Sequence, residues 1–128
     1  MSKAVFDASA ILALIQQERG ASKLTPEIQD TAAVCSVNMA EVQGKLILKG
    51  WDPDTAWEDA LSCVSNVEPL TESQAKQAGT LVRSTKPYVL SVGDRSCLAL
   101  AIALKAPVYT TEQSWRNLKV GVPIYVIR

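Results

Sequence analysis

Short apolar runs alternate with longer stretches of helical periodicity along the whole chain. Lys3-Ala4-Val5-Phe6 reads as a short buried strand, Ala32–Cys35 as a second short strand, and Pro107–Thr110 and Ile124–Ile127 as two later ones. Ala8–Glu18 reads as a helix, with Ile11, Leu12, Leu14 and Ile15 too dense for a strand, and Gly20 stops it. Thr25-Pro26-Glu27 is a helix start with proline at the first helical position. The spacing predicts a helix opened by Asn38 and running to Lys49, ended by Gly50. Another starts at Asp52-Pro53-Asp54 and continues to about Cys63. Thr71–Arg83 carries a Thr71-x-x-Gln74 capping box, and Ser91-x-x-Asp94 opens an Ala/Leu-rich helix reaching Lys105. Val67–Leu70 contains Pro69 and is an edge strand at best. Lys86–Tyr88 reads as a loop and Glu112–Asn117 as a short helix or turn. This alternation predicts an α/β fold, a parallel sheet covered on both faces and joined by right-handed crossovers. No repeat, biased tract or linker interrupts it, so residues 1–128 are expected to form a single domain.

Composition narrows the chemistry. Hydrophobic residues make up 48% and charged residues 20%, a balance that argues against disorder. No apolar run approaches the roughly 18 residues of a membrane span. The early Asp7, with no small-residue cleavage site behind it, argues against a signal peptide, and a cytoplasmic location is expected. Thirteen basic residues balance thirteen acidic ones, so nucleic-acid binding would rest on local patches or a bound metal. There is no histidine, which excludes Ser-His-Asp and Cys-His catalysis and His-ligated metals. Cys35, Cys63 and Cys97 are odd in number and far apart. They lack zinc spacing and read as small buried hydrophobes in a reducing compartment.

Ligands of open parallel sheets bind outside the carboxyl ends of the strands. Asp7 ends the first strand. Glu41 falls in the first turn of the helix after the second, Asp94 in the first turn of the Ala/Leu-rich helix, and Glu112 just after the strand ending at Thr110. Gathering such acids is unfavourable without a counter-charge, and oxygen-only ligation suits Mg²⁺ or Mn²⁺. A water bound there becomes a nucleophile, and the metal stabilises charge on a phosphodiester. Each acid also has a plainer reading. Asp94 completes a capping box, Glu41 stands three residues after Asn38 in a similar arrangement, Glu112 is an ordinary first-turn acid, and Asp7 is an N-cap. Asp52, Asp54, Glu58 and Asp59 read as surface acids around a helix start.

Four segments carry a resemblance. Val5-Phe6-Asp7-Ala8-Ser9-Ala10, Ser36–Val42, Leu90–Ala101 and Val108–Trp115 resemble, in order, the four motifs of PIN domains, and among them the VapC toxins of type II toxin–antitoxin pairs. The resemblance implies a three-layer α/β/α fold around a short parallel sheet, a homodimer, Mg²⁺- or Mn²⁺-dependent RNA cleavage, and inhibition by a VapB-like antitoxin. Carried over residue by residue, it implies a central triad of Asp7, Glu41 and Asp94. Glu112 stands where the family usually has Asp, which keeps the charge and changes the reach. Ser9 matches a hydroxyl position that either orients a water or phosphate or caps the helix. Asn38 matches a position that either holds Glu41 or caps its helix. Arg95 is either a phosphate contact or, more commonly for such a residue, a solvated surface group.

The expected chemistry is hydrolysis leaving a 5′-phosphate and a 3′-hydroxyl, with Asp7 and Asp94 at the principal metal and Glu41 completing the site. Trp51, Trp57 and Trp115 are either antitoxin-binding surfaces or partly buried core or dimer residues. The alternative is a PIN-like module that has lost activity and only binds a partner. A response-receiver module is disfavoured because no acidic pair lies near the first strand and no lysine follows the late strand Val108–Thr110. A dinucleotide-binding enzyme is disfavoured because no Gly-x-Gly-x-x-Gly follows a strand.

Overall fold

The computed structural model describes residues 2–128. Five strands form an all-parallel sheet: β1 (Ala4–Phe6), β2 (Ala32–Cys35), β3 (Asn66–Glu68), β4 (Val108–Thr110) and β5 (Ile124–Val126). Their spatial order is β3-β2-β1-β4-β5. Six helices flank it: α1 (Ala8–Gln16), α2 (Pro26–Gln29), α3 (Ser36–Leu48), α4 (Pro53–Leu61), α5 (Glu72–Ser84) and α6 (Val92–Leu104).

The continuous apolar strands divide their side chains between two cores, as the two-residue period of a strand requires. Ala4 and Phe6 of β1, with Ala32 and Val34 of β2, pack against Ile11 of α1 and Met39, Val42 and Leu46 of α3. Val5, Ala33 and Cys35 face the other way, onto Leu98 and Leu100 of α6 and Leu81 of α5. The sheet is thus the middle of three layers. β3 lies at the edge, as expected, but runs over Asn66–Glu68 and ends before Pro69.

Several boundaries differ from the sequence reading. α1 stops at Gln16 because Gln17 turns left-handed, with φ of 52°, and its N–H bonds back to Ala13 and Leu14. α3 begins at Ser36, two residues before the expected cap at Asn38. Extended Cys35 leads directly from β2 into the helix, and Ser36 Oγ is taken up by Leu70 N. Asn38 therefore lies inside α3 with its amide free for longer-range contacts. Thr71 caps α5 by accepting from Gln74 N, but no reciprocal bond from the Gln74 side chain closes the box, and Gln74 Oε1 is buried without a partner. The box at Ser91 and Asp94 is complete in both directions. No helix among the described residues is long and apolar enough to cross a membrane.

Candidate active site

From β1 the chain builds outward through β2 to β3, then returns to place β4 and β5 on the other side of β1. The order reverses between β1 and β4, and a crevice opens at such a point outside the carboxyl ends of the strands. Phe6 pairs with Tyr109, so the next residues, Asp7 and Thr110, lie side by side.

Asp7 is only 4% exposed, and every bond it makes fixes its orientation. Its Oδ2 accepts from Thr110 Oγ1 at 2.6 Å. Its Oδ1 accepts from Ser9 Oγ at 2.7 Å and from Ala10 N at 2.9 Å, the latter capping α1. Ser9 Oγ in turn accepts from Thr111 N at 2.9 Å, and Thr110 Oγ1 from Glu112 N at 3.0 Å. One network therefore ties the start of α1 to the end of β4 through the carboxylate. Asp7 is the helix cap, and Ser9 is the clip that holds it. The Asp7 carboxyl is raised to about 6: burial is the largest cause, the charge of Asp94 adds to it, and the bonds from Thr110, Ser9 and Ala10 pull the other way.

Glu41 projects from α3 and is half-buried. Asn38 Nδ2 donates to its Oε1 at 2.8 Å and to the carbonyl of Gly93 at 3.0 Å, so one amide joins α3, Glu41 and the first turn of α6. Asp94 is held in that same turn, its Oδ2 accepting from Ser91 N at 2.9 Å. The charges of the three acids all act on one thiol. Fully buried Cys97, one turn past Asp94, is raised well above the ordinary range by burial and then by its neighbours Asp7, Cys35, Asp94 and Glu41. Cys35 is likewise raised by burial. All three cysteines are free and buried, packed as small hydrophobes.

The donors suit a hard divalent cation: carboxylate oxygens from three elements, with no imidazole and no activated thiolate. Asn38 adds a buried Oδ1 without a partner. Among the described residues no three acidic or cysteine side chains converge tightly enough to grip an ion directly. Mg²⁺ keeps several waters and takes one or two carboxylates directly, so the set fits a cation held partly through water.

The other candidates separate. Glu112 is exposed, with its backbone N–H on Thr110, so it stands at the rim. Arg95 is not a solvated surface group: it is half-buried, and its Nη1 donates to the carbonyl of Ala78 at 2.8 Å, tying α6 to α5. Trp115 is buried in the core, and Trp51 and Trp57 pack partly buried against the opposite one. Thr110, Thr111 and Gly93 escaped the sequence reading. The one signal for Thr110 was a hydroxyl closing an otherwise apolar strand.

No curated protein matches the chain at a significant level. Several solved structures share the fold. A toxin–antitoxin complex from Klebsiella pneumoniae is 18% identical over 98% of each chain, with a TM-score of 0.77. DNA-bound VapBC from Salmonella typhimurium is 15% identical over 100% of each chain, with a TM-score of 0.76. VapC20 from Mycobacterium tuberculosis, a sarcin-ricin loop cleaving toxin, is 16% identical over 94% of this chain and 99% of that chain, with a TM-score of 0.75. The sequence model of the PIN domain matches residues 4–120, a span that takes in β1 with Asp7, the start of α3 with Glu41, the start of α6 with Asp94, and the end of β4. With a parallel sheet that brings those acids to its switch point, the chain belongs to the PIN domain family.

Proposed function

We propose that this protein is a metal-dependent endoribonuclease and the toxin half of a type II toxin–antitoxin pair. Asp7, Glu41 and Asp94 hold Mg²⁺ or Mn²⁺, and Glu112 takes part from the rim. The observation that carries this reading is Asp7, a buried carboxylate fixed by three donors at the switch point, whose ionised form is disfavoured by burial and by the charge of Asp94. A carboxylate kept ionised in such a place calls for a cation. When bound, the cation neutralises charge on the phosphodiester and makes water a better nucleophile.

The protein's own groups supply orientation and proton handling. Thr110 and Ser9 set the direction of the Asp7 oxygens, so the carboxylate needs no reorganisation when substrate arrives. Asn38 holds one oxygen of Glu41, leaving the other without a protein donor among the described residues. That oxygen takes the proton of the attacking water. The water oxygen bonds to phosphorus as the bond to the 3′-oxygen breaks, with inversion; the departing 3′-oxygen takes a proton from solvent to become a hydroxyl, and the other product keeps a 5′-phosphate.

An antitoxin that restrains this activity, and a second copy of the chain as dimer partner, belong to the same reading. Its support is the shared fold with the VapBC structures. Exposed Ile47 and Leu48 near the end of α3, with Leu61 at the end of α4, offer apolar contact to such a partner.

The test is cleavage of a structured RNA pool by protein freed of any partner, with Mg²⁺ or Mn²⁺, beside EDTA and Asp7→Asn controls. Cutting that is lost in both controls and leaves 5′-phosphate ends is expected. Cutting that persists in EDTA, or 2′,3′-cyclic phosphate ends, would rule out the metal mechanism. Folded protein that neither cuts nor binds Mn²⁺ would favour the inactive, partner-binding module.

A further inference from the structure

Gly93 occupies the first turn of α6, between Val92 and Asp94. Glycine there weakens a helix relative to alanine, and the backbone gives no reason for it. The positive-φ glycines are Gly20, Gly50 and Gly121, and Gly93 is not among them. The reason is space. A Cβ built on Gly93 would come within 2.5 Å of Glu41 Oε1 and 2.6 Å of both Cδ and Oε2. The other helical glycines, Gly44 and Gly79, have nothing within 4 Å of that point. The Gly93 carbonyl meanwhile accepts from the same Asn38 amide that donates to Glu41.

We propose that Gly93 is a positioning residue of the metal site: its missing side chain is the seat of the Glu41 carboxylate, and the seat holds Glu41 beside Asp94. The inference rests on the reading of Glu41 as a metal-facing acid. A methyl group at residue 93 meets the far end of a flexible side chain, not backbone. Its effect is therefore to push the carboxylate off the turn and away from Asn38 while the helix stays intact. The helix itself gains from the change.

Mn²⁺ titration calorimetry on the full chain, paired with the melting temperature without metal, separates these effects. Gly93→Ala is expected to weaken Mn²⁺ binding about tenfold or more, with a melting temperature equal to or above that of the unaltered protein. Gly79→Ala raises the melting temperature and leaves Mn²⁺ binding unchanged. Adding Glu41→Asp to Gly93→Ala shortens the acid by one methylene, makes room for the methyl and restores part of the affinity. Unaltered Mn²⁺ binding in Gly93→Ala, while Glu41→Gln loses it, overturns the role of Gly93 and leaves the site standing. Unaltered binding in both variants removes Glu41 from the metal site, and the role of Gly93 goes with it. If Gly93→Ala does not fold, recovery of folded protein by the added Glu41→Asp supports the same clash, and no recovery overturns it.

Discussion

α5 and α6 are a natural pair to compare. Each has 13 residues, a hydroxyl N-cap (Thr71 or Ser91) and an acid in its first turn (Glu72 or Asp94). Each also carries one glycine. Yet α5 buries only Ala78 and Leu81, whereas α6 buries a run from Ser96 to Ala101 together with Gly93. Beside Gly79 there is open space; on Gly93 lies the Glu41 carboxylate. α5 follows the edge strand β3. α6 leads into β4, next to the central strand, and its opening turn puts Asp94 where its charge acts on Asp7. A capped acid is only a helix signal until topology sets it at the switch point.

The acids offer the largest break in this comparison. Asp94→Asn is expected to lower initial rates of RNA cleavage on the order of a thousandfold, the several kcal/mol that a metal site contributes to the transition state. Glu72→Gln should leave the rate unchanged, and Glu112→Gln, at the rim, should reduce it less than Asp94→Asn. Equal losses for Asp94 and Glu72 would dissolve the distinction between the two helices.

Next comes the carboxylate on which the charge of Asp94 acts. With the Asp7 carboxyl at about 6, the folded chain keeps a proton that the unfolded chain loses near pH 4. Between those values the folded state binds more protons, so stability falls as pH rises through the window and stays lower above it. In EDTA at pH 7, Asp7→Asn is expected to be more stable by about 3 kcal/mol, from roughly 1.36 kcal/mol per pKa unit. The gain should vanish near pH 4. Urea unfolding at both pH values measures it. An Asn variant that is no more stable at pH 7 would mean that the bonds from Thr110, Ser9 and Ala10 outweigh the burial penalty.

The caps give the smallest effect. Thr71→Ala and Ser91→Ala should each cost about 1 kcal/mol in urea unfolding. Only Ser91→Ala should also slow cleavage, because Asp94 N rests on the Ser91 hydroxyl while Asp94 Oδ2 takes the Ser91 N–H. Identical cleavage in the two variants would confine the box at Ser91 to helix stability.

Much of the architecture was legible because its signals are local. Apolar runs marked β1, β2, β4 and β5, Pro69 marked an edge, and Ser91 with Asp94 marked the start of α6. Errors arose where local signals compete. Ser36 and Asn38 can both open a helix, and an extended Cys35 feeding straight from β2 decided for the earlier start. Gln74 had the spacing of a reciprocal cap, but its side chain went to the interior. Arg95 had the composition of a surface residue, yet packing against α5 gave it a carbonyl partner.

The sequence by itself determined the elements and the acids that end or begin them, since caps and periods act between residues no more than about four apart. It also excluded imidazole chemistry outright. Only the tertiary structure decided that Thr110 reaches Asp7 across 103 positions, that Asn38 reaches Gly93 across 55, and that Glu41 rests where a side chain is missing. The first contact exists because β4 inserts beside β1, and the other two because α3 and α6 meet when the two cores close on the sheet; that packing is set by burial of the whole apolar surface and by no local pattern.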